Sequence, residues 1–204
     1  MTPKEKIIDA AIKAFTVRGI KSVTMDSIAQ TAGVSKRTVY ELFEDKDSLV
    51  IEALGQMIIN HNKAMINIIG HTENIIEALF LIIEKEARRQ EEISPLLVQD
   101  MEKYFPLVNA AFFKDPQKIC MYSATYTFLQ SGIDQGIIRK ELKLEFVDTF
   151  LHEIIRMVHL SDRIRLLNPA KEDYLNNMFL PYFRGICTRK GMMLMEIYFD
   201  NQTE

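Results

Sequence analysis

TMDSIAQTAGVSKRTVYELFEDKDSL, residues 24–49, holds two short apolar-patterned segments separated by Gly33. Thr24 suits a helix N-cap, and a helix from there to Ala32 turns Ile28, Ala29 and Ala32 inward. These residues are mostly small, which lets another helix approach closely. Gly33 ends the segment, Val34 plugs the turn, and Ser35 is placed to cap a third helix running through Phe43. A helix, a tight glycine-containing turn and a second short helix form a helix-turn-helix.

The chemistry of that third helix follows from its angles. At about 100° per residue with Val39 pointing inward, Phe43 falls about 40° away and Leu42 about 60° away. Arg37 and Glu41 then lie about 160° round, with Thr38 and Tyr40 flanking at about 100°. Lys36 sits in the first turn, where unpaired amides favour anions. Arg reads guanine O6 and N7 by a bidentate bond, while Thr hydroxyls and Tyr reach phosphates or a thymine methyl. Lys46, just past the helix, suits a phosphate contact that fixes orientation without specifying sequence. Glu41 has two uses: accepting from a cytosine amino group, or pairing with Arg37 at i,i+4.

Upstream, residues 4–18 place Ile7, Ile8, Ala11, Ile12 and Phe15 on one helical stripe. Gly19 follows as a left-handed terminator, with Ile20 as its hydrophobic partner. The stripe I-I-D-A-A-I-K-A-F-x-x-x-G, its spacing to Thr24, and T-M-D-S-I-A-x-x-A-G-V-S-K-R-T-V-Y-E-L-F-x-D-K-D-S-L together resemble the DNA-binding signature of TetR-type bacterial transcriptional regulators. The resemblance covers about residues 5–50. It implies DNA-contacting roles for Thr24, Ser35, Lys36, Arg37, Thr38, Tyr40 and Lys46. It implies structural roles for Ile28, Ala29, Ala32, Gly33, Val34, Val39, Phe43 and Leu49. Glu41 and Leu42 depart from it, since many members carry Tyr or His there. One polar contact is therefore expected to be missing.

Of the 204 residues, 48% are hydrophobic and 26% charged, as in an ordinary globular protein. With only 8 Gly and 6 Pro, and no strand-like alternation, the chain reads as all-α. Residues 1–48 form a three-helix DNA-binding domain and residues 49–204 a larger helical domain for ligand binding and dimerisation. The two cysteines, Cys120 and Cys187, lack metal-ligand spacing and read as buried free thiols in a cytoplasmic protein. No secretory signal is visible, and the window IIEALFLII at 75–83 is too short to span a bilayer. The net charge of −3 disfavours sequence-blind nucleic-acid binding, which rests on phosphate neutralisation. No HExxH, phosphate-binding glycine loop or nucleophile–base pairing is present. No enzyme activity, metal or cofactor is expected.

Beyond residue 49 the pattern predicts a helix over 47–69 and another capped by Thr72. Ser94-Pro95 and Asp115-Pro116 each open a further helix, the second running to Gln135. Long helices over about 144–167 and 170–189 follow, the last kinked at Pro181. Asp148, His152, Arg156, His159 and Arg163 form a polar stripe, read as a solvated face or a dimer rim rather than a metal site. Tyr104, Phe105, Met121, Tyr122, Tyr126 and Met157 supply either core or an adaptable wall for a small lipophilic effector. The last two long helices carry apolar residues on two sides, among them Phe150, Ile154, Met178, Tyr182 and Ile186. That suits a homodimeric four-helix interface. The expected partners are a double-stranded DNA operator, a second copy of the chain and an unidentified small-molecule effector, without a membrane. A larger domain that senses a protein partner is the alternative.

Overall fold

Side-chain caps decide where the first helices start. In the computed structural model, which describes residues 1–112, 123–167 and 170–200, α1 (Pro3–Arg18) opens with a reciprocal capping box. The Thr2 amide donates to Glu5 Oε2 at 2.8 Å and the Glu5 amide to Thr2 Oγ1 at 3.3 Å. Helices α2 (Met25–Ala32), α3 (Lys36–Leu42), α4 (Lys46–His71), α5 (Ile75–Glu92) and α6 (Pro95–Phe112) follow. Next come α7 (Ala124–Asp134), α8 (Leu144–Leu160), α9 (Asp162–Leu166) and α10 (Lys171–Tyr174). A π-helical turn over Leu175–Phe179 leads into α11 (Leu180–Ile186), then α12 (Arg189–Met195) and a second π turn at Glu196–Asp200. The fold is all-α. The described residues contain no strand beyond an isolated bridge between Ile138 and Cys187.

The chain divides into two compact units, Met1–His61 with Arg88–Ile119 and Asn62–Ala87 with Cys120–Glu204. That grouping differs from a cut between residues 48 and 49, for a physical reason. One apolar core in the first unit takes Ile7, Phe15, Ile20, Ile28, Val39 and Phe43 from α1–α3 and their connections. The same core takes Leu49 and Leu54 from α4 and Leu97, Tyr104 and Val108 from α6. Full burial of each large side chain there contributes about 1.5–3 kcal/mol. The second unit has its own core, built on Ile75, Ile76, Phe128, Leu129, Ile137, Ile138, Leu151, Leu180 and Phe183.

Several boundaries differ from those the sequence suggests. Gly19 has φ 72 but ψ 164, so the chain leaves α1 extended rather than in the left-handed helical conformation. That exit carries Ile20 into the core, where it is almost fully buried. The cap of α5 is Asn74, not Thr72: Asn74 Oδ1 accepts the Ile76 and Glu77 amides at 3.0 Å each. Thr72 instead donates back to Ile68 O at 3.1 Å, closing α4. The helix expected from Pro116 falls partly on residues outside those described; Ser123 caps α7 by accepting the Tyr126 amide at 3.1 Å.

The expected 144–167 helix stops at Leu160, with Ser161 extended before α9. Asp148, expected on a solvated stripe, is buried and accepts Ser123 Oγ at 3.1 Å. His152 Nδ1 donates to its carbonyl at 2.8 Å. In the last long segment Pro181 cannot donate to the ladder, and the turn before it widens to π, with the Leu180 amide bonding Leu175 O.

Candidate nucleic-acid interface

Local hydrogen bonds mark each boundary of the helix-turn-helix. The Ser27 amide donates to Thr24 Oγ1 at 3.1 Å, and the Thr24 amide to Ser27 Oγ at 3.2 Å. Gly33 ends α2 in the left-handed conformation, φ 66 and ψ 34. Its amide reaches back into α2, and the Val34 amide bonds Ala29 O at 3.0 Å, satisfying the terminal carbonyls. Ser35 Oγ accepts the Thr38 amide at 3.0 Å and lies 2.8 Å from Thr38 Oγ1. Asp45 repeats the device for α4, accepting the Ser48 amide at 2.7 Å.

These caps orient α3 as its angles require, except at Leu42, which the angles put about 60° from Val39 yet which is exposed. Val39 and Phe43 are buried in the core, and Thr38 is half-buried. Thr24, Ser35, Lys36, Arg37 and Glu41 are exposed, as are Tyr40 at 54% and Leu42 at 41%. Arg37 Nε donates to Glu41 Oε1 at 2.7 Å, the i,i+4 pair that was one of the two uses open to Glu41. Such exposed pairs contribute about 0.3–0.5 kcal/mol, so Arg37 is steered rather than locked. Lys36 Nζ pairs with Asp26 and so ties α3 to α2.

Lys46 sits differently from a free phosphate contact. It is half-buried, and its Nζ donates to Lys21 O at 3.4 Å. Burial pushes its ammonium below the usual lysine range, partly offset by the Asp100 and Asp47 carboxylates.

A residue that sequence reading missed stands behind this surface. Asp100 on α6 is 5% exposed, and its Oδ2 accepts the amides of Ile20 at 2.8 Å and Lys21 at 3.1 Å. Lys21 Nζ lies 3.2 Å from Oδ1. Burial opposes ionisation, but the amides and ammonium outweigh it and hold the carboxyl below its usual range. Asp100 thereby fixes the connection that leads into Thr24. The only sequence signal was a carboxylate on an apolar helix, and its partners lie far away in the chain. Beside it, Tyr104 Oη donates to Asp47 Oδ1 at 2.6 Å and fastens α6 to the start of α4.

The residues expected around an effector fall in both units. Tyr104 is buried in the first unit, while Tyr126 is half-buried and Met157 exposed in the second. Met121 and Tyr122 lie outside the described residues, as does the side chain of Phe105. Among the expected dimer residues, Ile154 and Ile186 are buried within their own chain. Phe150, Met178 and Tyr182 keep exposed surface, and Phe150 stacks on Tyr182 with ring centroids 4.5 Å apart. Phe146, 73% exposed, extends that face. An open groove of about 430 Å³ runs along it, lined by Glu145, Phe146, Thr149, Phe150 and Glu153. None of the helices, over the described residues, is long and apolar enough to cross a membrane.

Residues 7–53 match the model for bacterial regulatory proteins of the tetR family. The chain is 31% identical over 138 residues to the uncharacterised HTH-type transcriptional regulator YhgD of Bacillus subtilis, covering 66% of this chain and 69% of that one. It is 28% identical over 99 residues to IcaR of Staphylococcus aureus, the HTH-type negative transcriptional regulator of the biofilm operon icaADBC. That match covers 45% of this chain and 53% of IcaR. The crystal structure of a TetR transcription regulator from Haloarcula marismortui superposes with a TM-score of 0.62. At 18% identity it covers 91% of this chain and 98% of that one, a likeness of fold. The capped helix-turn-helix, the all-α fold and these relatives lead to one conclusion: the chain belongs to the TetR family of transcriptional regulators.

Proposed function

We propose that this regulator is a homodimeric repressor released from its operator by a small lipophilic ligand bound in the second unit. The observation that carries the DNA-reading part is the outward face of α3. Its capped N-terminus presents Lys36, Arg37 and Tyr40 to solvent while Val39 and Phe43 hold it from behind. In this reading Arg37 takes a guanine edge, and Thr24, Ser35, Thr38, Tyr40 and the terminal amides of α3 take phosphates. Two such helices enter successive major grooves about 34–36 Å apart on a palindromic site. Phe146, Phe150 and Tyr182 support pairing of two copies, because an exposed aromatic face of this kind calls for a cover.

Repression is supported by the likeness to the negative regulator IcaR. Helix α4 runs unbroken from Lys46, beside the reading helix, to His71 in the second unit, and is the natural lever for ligand control. A ligand that favours one head spacing weakens DNA binding, and DNA weakens ligand binding by the same factor. Footprinting the purified protein on the DNA flanking its own gene should reveal a protected palindrome. A small-molecule screen by thermal shift should then find a stabilising compound that lifts the footprint. Spin labels on α3 should report a changed head separation with that compound. Absence of any protected site would remove the repressor reading, and release at constant head separation would remove the lever.

A further inference from the structure

A DNA-reading segment that is not positively charged has to gain specificity in another way. Residues 21–49 carry four Lys or Arg against five Asp or Glu, so the segment that faces a polyanion is itself net negative. Its cations are also partnered within the chain. Lys36 pairs with Asp26, Arg37 with Glu41 and Lys21 with Asp100, while Lys46 is half-buried against the Lys21 carbonyl. Arg37 is the most telling of these. Its side chain is 88% exposed, and Glu41 is its ion-pair partner on the outward face of α3.

We propose that Glu41 is a specificity-determining residue of the reading helix, an internal counter-ion that keeps Arg37 from random phosphates and yields it only to a matching base edge. The proposal rests on the DNA-reading role of α3. A phosphate that draws Arg37 away leaves the Glu41 carboxylate unpaired and close to the same phosphates. Within a Debye length of about 8 Å at physiological salt that repulsion is felt. A guanine edge also parts the pair, but it carries no net charge to repel the released carboxylate and offers Arg37 two acceptors, so the exchange there costs less than on a phosphate. The pair therefore penalises backbone binding more than base reading. Asp26 acts on Lys36 in the same sense.

The test compares the wild-type protein with Glu41→Gln on two duplexes across a range of salt concentrations. One duplex is the consensus recovered by selection from a random pool; the other is a scrambled duplex of the same length. Glutamine keeps the helix propensity, and circular dichroism verifies the fold. Glu41→Gln should tighten the scrambled duplex several-fold and steepen its log–log salt slope by roughly 0.9 per subunit, one freed phosphate contact. The consensus duplex should gain less, so the specificity ratio falls. In an Arg37→Ala background Glu41→Gln should relieve repulsion on both duplexes alike, so the added slope of a freed Arg37 and the change in specificity ratio should both vanish, which a merely structural role for Glu41 would not produce. Asp26→Asn should shift the scrambled duplex in the same direction.

An unchanged scrambled-duplex affinity and slope would overturn the proposal. So would loss of consensus affinity confined to one base pair, which would make Glu41 a direct reader of cytosine. If the wild-type protein selects no consensus at all, the DNA-reading role itself falls, and this inference with it.

Discussion

The Asp100 carboxylate takes the amide hydrogen of Ile20 at 2.8 Å, across 80 residues of chain. With the Lys21 amide and the exposed Lys21 ammonium, the buried carboxylate forms a charge-assisted cluster at the foot of the reading head. Asp100→Ala strands two amides and should cost about 2–3 kcal/mol in denaturant unfolding. Asp100→Asn, which still accepts, should cost less. The folded carboxyl titrates below its usual value, so its stabilisation is complete above the unfolded value of about 4 and is lost as pH falls through the lower folded value. Wild-type stability should thus fall on acidification in that window, and Asp100→Asn should flatten the fall. Parallel acid curves for both proteins would show that Asp100 does not contribute.

Two glycines separate conformational strain from crowding. Gly33 sits at φ 66 with nothing within 4 Å of where a Cβ would stand. Gly33→Ala should therefore cost only the left-handed penalty, about 1–2 kcal/mol. At Gly19, φ 72, a Cβ would lie 2.7 Å from Leu96 Cβ on α6. Gly19→Ala should cost more, roughly 2–4 kcal/mol, because strain and overlap add. Equal melting temperatures for the two variants would contradict that ranking.

For DNA binding, Arg37→Ala should lower affinity for the selected consensus by about 10- to 100-fold and relax the preference at one base pair. Tyr40→Phe should weaken all sequences alike, since it removes a hydroxyl offered to the backbone. Electrophoretic shifts on single-base variants of the consensus distinguish the two patterns.

Why the reading head was legible and the rest was not is a matter of range. Thr24, Ser27, Gly33, Ser35 and Thr38 satisfy one another within a few residues, so their pattern carries its own geometry. The angular reading of α3 placed Val39 and Phe43 inward for the same reason. Asp100 was invisible because its partners come from another part of the chain. The cap at Asn74 went to the residue whose carbonyl group reached two amides, which spacing alone could not separate from Thr72. Tyr104 shows the limit for sites. An aromatic run reads as either core or ligand wall, and spacing does not show that the Tyr104 phenol donates to Asp47.

Cys187 should be unreactive in the folded protein. Burial pushes its thiol up to about 11, against the opposing charge of Arg139. Iodoacetamide should label it slowly at neutral pH and rapidly after unfolding, with mass spectrometry following the adduct. Fast labelling of the native protein would mean that the segment around Cys187 opens readily.

The exposed aromatic face gives a test of assembly. Phe150→Glu places a charge where Phe146 and Tyr182 leave apolar surface, and should shift the protein toward monomer in sedimentation. The consensus affinity should fall with it, since two linked reading heads bind far better than one. A variant that remains dimeric would move the interface elsewhere on the chain.

The shared core of the first unit has a consequence for anyone who would transplant this reading head. Leu97, Tyr104 and Val108 are buried with Ile7, Phe15 and Val39, and Asp100 holds the loop before Thr24. A graft that cuts after the helix-turn-helix would leave an open apolar surface and two amides without acceptors. A working chimera has to carry two separate pieces of chain, the first through Leu54 and the inner face of α6, as one inheritable block.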